Sequence, residues 1–148
     1  MINTADITIG NADSPTFKWD IYGINALAFT LNDEGEIISR DTTKFVRFDR
    51  FGLYGMTGST IESWIPKNEN EVWENAPFSL TWKGFRLKNS YGDGYVSIDS
   101  IDDFVVVDSE GIKRIKIGNL ADKTAESPVY GLTINNEKGS PILIAENG

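Results

Sequence analysis

The feature that most restricts how this chain can fold is a glycine turn that returns at nearly constant spacing. It consists of an apolar stretch, then Asp-x-x-Gly, then another apolar residue, as at 20–24, 49–53 and 108–112. Looser copies stand at 82–85 and 136–139. The glycines of the five copies, which lie 29, 32, 27 and 28 residues apart, are Gly23, Gly52, Gly84, Gly111 and Gly139. This spacing indicates a structural repeat of about 29 residues.

Each copy has the residues of a β-hairpin. Asp or Asn opens the turn because its side chain can bond the backbone two residues on, and Gly occupies the position that needs positive φ. A strand of aromatic or branched residues enters the turn, as at 45–48, and an alternating strand leaves it, as at 112–117. The pattern predicts an all-β chain of roughly ten to twelve short strands. We expect successive hairpins that form small sandwiches in series or a β-layered rod, with the five glycines as structural turn residues.

One stretch, 68–76, interrupts the β pattern. It lacks alternation, is rich in acids and is bracketed by Pro66 and Pro77. Asn68 or Asn70 could cap a short helix, and acids in a first turn suit the helix dipole. We therefore predict a short helix or a loop inserted here.

The domain organisation that we expect is two sets of hairpin repeats, at 1–77 and 78–148, although one continuous domain would also fit. The last repeat stops soon after its turn and has no polar capping element. Since repeat arrays need capped ends, we expect a fragment of a longer protein or ends that pack on other subunits.

The composition argues against most enzymes and against several kinds of partner. The chain has no His and no Cys, so it lacks the commonest general base, a thiolate nucleophile and soft metal ligands. We expect no catalytic activity, no cofactor and no metal. The net charge of −8 is unsuited to nucleic acid. No apolar run of membrane-spanning length and no signal peptide are present, so we expect synthesis in the cytoplasm and no membrane partner.

Several short sequence segments of the chain, here called repeat phrases, resemble segments that occur in the same order in siphophage tail-tip proteins. These are phage and prophage minor structural proteins of Gram-positive bacteria, some of them called anti-receptor or receptor-binding proteins. The resemblance covers most of 14–148 and concerns their β-rich repeat region, not their hub or peptidase parts. The phrases are FKWDIYGINA at 17–26, FVRFDRFGLYG at 45–55, FSLTWKGF at 78–85, RIKIG at 114–118 and YGL at 130–132.

The resemblance implies a structural or adhesion role in the virion. The expected place is a phage tail tip, tail fibre or baseplate that attaches the particle to its host. The expected partners are further copies of the chain in a homotrimer, other tail or baseplate proteins, and host cell-wall glycan.

The aromatic residues offer candidate glycan contacts. Trp19 and Trp82 precede equivalent turns, so we expect them in the core or at a subunit interface. Trp64 and Trp73 lie outside the repeat phrases, near the insertion, and Tyr91 flanks a glycine-rich turn. These three are the candidate glycan contacts, with packing as the alternative for each.

Two other functions stay open from the sequence. One is a stand-alone carbohydrate-binding module, and the other is a glycan hydrolase that uses two carboxylates facing one cleft. Calcium is a weaker possibility at four acids that lack EF-hand spacing, which we expect to form a solvated acidic face. They are Asp93, Asp99, Asp102 and Asp103.

Overall fold

The computed structural model describes residues 7–11, 14–89, 92–121 and 127–146, with side chains from residue 17 onward. Within these residues the chain forms twelve β-strands and one α-helix, which confirms the predicted all-β class. The chain divides into two compact units, Met1–Trp82 and Lys83–Gly148. The division falls in the turn that contains Trp82 and Lys83.

The first unit is an antiparallel sheet in which each strand pairs with its neighbours in sequence. This order confirms the series of hairpins that the turns predict. A helix, α1, precedes the last strand of the unit. Its elements are β1 (Ile7–Asn11), β2 (Ser14–Asp20), β3 (Gly23–Leu31), β4 (Ile37–Asp49), β5 (Gly52–Thr57), α1 (Glu69–Asn75) and β6 (Phe78–Thr81).

The second unit repeats the same antiparallel order without a helix among its described residues. Its strands are β7 (Gly84–Lys88), β8 (Tyr95–Asp99), β9 (Asp103–Val107), β10 (Lys113–Asn119), β11 (Tyr130–Asn135) and β12 (Pro141–Glu146).

The helix predicted at 68–76 is present as α1. Asn68 is its N-cap, because the side-chain oxygen of Asn68 accepts the amide of Glu71 at 3.1 Å. The carboxylate of Glu71 in turn accepts the amide of Lys67 at 3.0 Å. The first bond satisfies one of the amides that the first turn of a helix leaves without a partner, and the second fixes the residue before the cap.

The core of the first unit lies on one face of its sheet. Alternate residues of β3, β4 and β5 point to this face, where α1 and the segment before it cover them. Val72, on α1, is fully buried there. The core residues are Leu27, Phe45, Tyr54, Met56, Ile61, Val72 and Ala76.

The five turn glycines all have positive φ, but they do not occupy one equivalent position. Gly23, Gly52 and Gly84 begin strands and have φ of 138°, 131° and 139°. A Cβ at any of the three would overlap a carbonyl oxygen of the adjacent strand. Gly111 and Gly139 lie within turns and have φ of 81° and 77°. A Cβ at Gly111 would have no atom within 4 Å, and a Cβ at Gly139 would make an ordinary contact with the Ile112 side chain at 3.7 Å. The glycines that recur at near-constant spacing in the sequence therefore belong to two different kinds of turn.

The second kind of turn recurs with the same hydrogen bonds at three places. It opens at Asn32, Asp108 and Asn136, and in each turn the side-chain oxygen accepts the amides two and four residues on, at 2.8–3.1 Å. The glycine in the fourth position donates its amide to the first carbonyl of the turn. These are Asx turns closed by a glycine with positive φ.

Candidate functional site

The sheet of the first unit has a second face, opposite α1, on which two adjacent rows of residues are apolar across five strands. Strand alternation places these residues together, because the register aligns Trp19, Ile24, Phe48, Leu53 and Leu80 in one row. A second row runs beside it. We call this surface apolar face 1; its residues are Phe17, Trp19, Ile24, Ala26, Val46, Phe48, Leu53, Gly55, Phe78 and Leu80.

Apolar face 1 is open to solvent in the isolated chain. Trp19, Phe48 and Leu80 are 51%, 56% and 52% exposed. Lys44 borders the face and pairs with Asp41 at 3.3 Å, so this ion pair lies at the edge of apolar face 1. The ring of Phe78 lies over Gly55, where a Cβ would overlap it. Exposure on this scale distinguishes the face from the scattered apolar residues that are normal on a protein surface.

The second unit has an equivalent surface, which we call apolar face 2. Two rows run across β7 to β12, and every residue in them is apolar. Ile98 is 55% exposed and Ile117 is 48% exposed. The residues of apolar face 2 are Phe85, Leu87, Val96, Ile98, Phe104, Val106, Ile115, Ile117, Leu132, Ile134, Leu143 and Ala145.

The opposite face of the second unit is built differently. Val105 and Val107 are buried there, although Arg86 and Lys116 share the face with them. The Arg86 guanidinium lies 3.7 Å from the centre of the Tyr95 ring, which places a charge over an aromatic surface. Long charged side chains shield apolar surface with their stems, so this face has a covering that apolar face 2 lacks.

The candidate glycan contacts do not form one site. Trp64 is half-buried against the core, and its ring meets Tyr54 edge-on at 5.3 Å. Trp73 lies in α1 and is half-buried. Tyr91 lies outside the described residues.

Trp19 and Trp82 are exposed, and Trp82 is 88% exposed. The expectation of a core position is therefore wrong for both, because alternation turns Trp19 away from the helix-covered face and Trp82 sits in a turn. A subunit interface, the other alternative for the pair, stays a prediction.

A cleft of about 480 Å³, which the sequence patterns did not predict, lies between the β2–β3 and β4–β5 turns. Trp19, Tyr22 and Phe51 contribute aromatic surface to it, and Arg50 stacks on Phe51 at 4.6 Å. A signal for it existed in the sequence, because both turns have an aromatic residue directly before the glycine.

The two carboxylates of this cleft, Asp20 and Asp49, are engaged by their own turns. Asp20 accepts the amide of Tyr22 and Asp49 accepts that of Phe51, both at 2.8 Å. The second oxygen of Asp49 accepts the hydroxyl of Tyr54. Burial, followed by this bond to Asp49, raises the pKa of Tyr54 far above its usual value. The phenol therefore stays a hydrogen-bond donor at neutral pH.

A buried arginine connects the sheet of the first unit to the segment before α1. Arg47 is fully buried. Its Nε donates to Oδ1 of Asn25 at 2.6 Å, and its two terminal nitrogens donate to the carbonyls of Trp64, at 2.8 Å, and Ile61. All three acceptors are neutral, so the guanidinium acts as a cross-link between two strands and a loop.

Three of the four acids considered for calcium have protein partners. Asp99 accepts the amides of Ile101 and Asp102, Asp102 pairs with Lys113 at 2.6 Å, and Asp103 accepts the amide of Asn119. Burial tends to raise the pKa of Asp99, but the two amides and the Ser97 hydroxyl outweigh it and lower the pKa. Asp93 is exposed. Among the described residues no cluster of acids suits a metal ion.

Comparison of the chain with models of protein families, with curated proteins and with solved structures found no match. In the part of the chain that the structure describes, no helix has the length and apolarity needed to cross a membrane.

Proposed function

We propose that this chain is a non-catalytic structural and adhesion module of a phage tail tip or baseplate, which contributes to host attachment by assembling into a homotrimer. The observation that carries the proposal is the pair of open apolar faces. A contiguous apolar patch of a few hundred Å² is about as large as any that a typical monomer leaves in water and often marks an interaction site, and this chain has two of them. The phage context and the threefold state rest on the resemblance of the repeat phrases.

The engaged carboxylates of the turn cleft favour a structural role over glycan hydrolysis. A hydrolase needs one acid that donates a proton and a second that attacks or activates water. Asp49 instead uses one oxygen to close its turn and the other to hold Tyr54. Asp20 closes its own turn and lies 3.5 Å from Lys18.

Antibody labelling of phage particles tests the proposed place in the virion. An antibody raised against the chain should label the tail tip in electron micrographs of particles from the strain that carries the gene. Pre-incubation of host cells with the purified chain should reduce particle adsorption if the module contacts the cell surface. Particles that carry neither the antibody label nor the polypeptide in their mass spectra would contradict the proposal.

Glycan binding at the turn cleft is a second candidate function, because the cleft combines three aromatic rings with Arg50 and two carboxylates. Trp19→Ala should weaken binding to host cell-wall polymer at least about tenfold if Trp19 stacks on a sugar ring. Trp82→Ala is the matched control, since Trp82 is more exposed and does not line the cleft. Equal binding by both variants would reject the cleft as a glycan site.

A further inference from the structure

We propose that each apolar face is covered by the same face of another copy of this chain, so that like faces form the interior of the assembly. This inference rests on the proposed role of the chain as an assembly module and names the partner. The occupant is a second copy of the chain, not a different protein and not a segment of the same copy.

The exposed area matches what a stable complex requires. Apolar face 1 and apolar face 2 each have five large side chains that are between 37% and 56% exposed. With about 150–200 Å² for a large apolar residue, each face exposes roughly 400 Å². Each face alone therefore offers about half of what one partner buries in an interface of standard size, so association through both faces is needed to reach that size. The five are Trp19, Val46, Phe48, Leu53 and Leu80 on face 1, and Phe85, Leu87, Ile98, Ile117 and Leu143 on face 2.

The described chain has no spare segment that could cover either face. Its helix, α1, already lies on the other side of the first sheet. A sheet of six strands is about 24 Å wide, and a covering layer needs a sheet or helices of its own.

The absence of charge from both faces favours pairing of like with like. The chain carries a net charge of −8, so two copies repel each other wherever their acidic surfaces meet. The named residues of both apolar faces are uncharged, and these faces are therefore the surfaces on which copies approach with least repulsion. In a closed threefold assembly the same face of every copy can point towards the common axis, so that like faces meet there while the acidic surfaces stay apart.

A pair of identical substitutions on opposite faces of the second unit tests the proposal. Ile98, on apolar face 2, is 55% exposed, and Ile144, which the register places on the other face, is 57% exposed. In sedimentation velocity at micromolar concentrations, the wild-type chain should be oligomeric. Ile98→Glu should raise the dissociation constant at least about tenfold. Ile144→Glu should leave it unchanged, because its carboxylate stays in water.

Further measurements separate a lost interface from a lost fold. Far-UV circular dichroism of dilute Ile98→Glu should keep the β spectrum of the wild type at the same concentration. If that variant unfolds, the dissociation constant of Leu80→Glu is measured instead. Leu80 lies on apolar face 1 and is 52% exposed. Equal association of the Ile98 and Ile144 variants, or a monomeric wild-type chain, would overturn the inference. A phage particle that lacks the chain would reject the proposed function and leave this result standing.

Discussion

Two glycines with positive φ illustrate, at the residue scale, how differently this chain uses the same residue type. Gly52 has φ of 131°, and a Cβ there would overlap the carbonyl oxygen of Leu80 on the adjacent strand. Gly35 has φ of 83° and has no atom within 4 Å of where a Cβ would lie. The first glycine permits close approach of two strands, whereas the second only permits a turn.

Alanine substitution should therefore separate the two glycines. Gly35→Ala should lower the free energy of unfolding by about 1–2 kcal/mol, the cost of a left-handed conformation with a Cβ. Gly52→Ala should lower it by about 3 kcal/mol or more, because strand β6 must also move. Urea unfolding followed by circular dichroism measures both values. Equal losses would show that the strand contact at Gly52 is not tight.

Arg47 is the residue on which the polar part of the first core depends. Its three hydrogen bonds join β3, β4 and the segment before α1. Removal of the side chain leaves the Asn25 oxygen and two carbonyls without their donor in a buried place, and such groups are costly when unpaired.

Arg47→Ala should lower the free energy of unfolding by at least about 3 kcal/mol, since three buried acceptors lose their donor at about 1–3 kcal/mol each. Arg50→Ala is the control, because Arg50 is exposed and stacks only on Phe51. Its expected loss is under about 1 kcal/mol. The same urea titration measures both variants. A loss for Arg47→Ala that is no larger than the loss for Arg50→Ala would contradict the role assigned to Arg47.

At the scale of elements, α1 is a seven-residue helix that depends on its cap and on Val72. Helices this short are not stable alone in water, so packing and capping must hold it in place. The sequence predicted Asn68 or Asn70 as the cap, and in the structure the cap is Asn68. Asn70 lies inside the helix.

Alanine at the two asparagines should distinguish a cap from a helical position. Asn68→Ala should cost about 1 kcal/mol of stability, because the amide of Glu71 loses its acceptor. Asn70→Ala should cost less, since Ala is the better helix former. Thermal unfolding monitored by circular dichroism gives the order. A larger loss of stability for Asn70→Ala than for Asn68→Ala would show that Asn68 is not the cap.

The strands and α1 were predictable from the sequence because they depend on local signals. The aromatic and branched residues at 45–48, followed by an Asp-x-x-Gly turn, indicate a strand, and Asn68 followed by Glu71 indicates a helix start. The spacing did not show that Gly23 and Gly111 belong to different kinds of turn, because φ depends on where the next strand passes. The exposure of Trp19 was not predictable either. Alternation assigns Trp19 to a face, but only the tertiary placement of α1 determines which face is covered.

For the whole molecule, charge and apolar surface are separated. The apolar faces contain no charged residue, whereas pairs such as Lys113–Asp102 and Arg114–Asp108 lie elsewhere. Association through uncharged faces should therefore persist when ionic contacts are screened.

Salt dependence should reflect this separation. Raising sodium chloride to about 1 M reduces the screening length to about 3 Å, which weakens exposed ion pairs but not apolar contacts. We expect the dissociation constant of the oligomer to stay constant or to fall, because net-negative copies repel less. Light scattering across the salt series measures it. Dissociation by salt would indicate an ionic interface in place of the apolar faces.

The mass of the wild-type chain in solution tests the central claim that the open sheet faces are assembly surfaces. Sedimentation equilibrium of a micromolar dilution series should give a multiple of the 16.4 kDa chain mass, with three copies as the predicted state. A folded monomer of 16.4 kDa throughout that series would contradict the account.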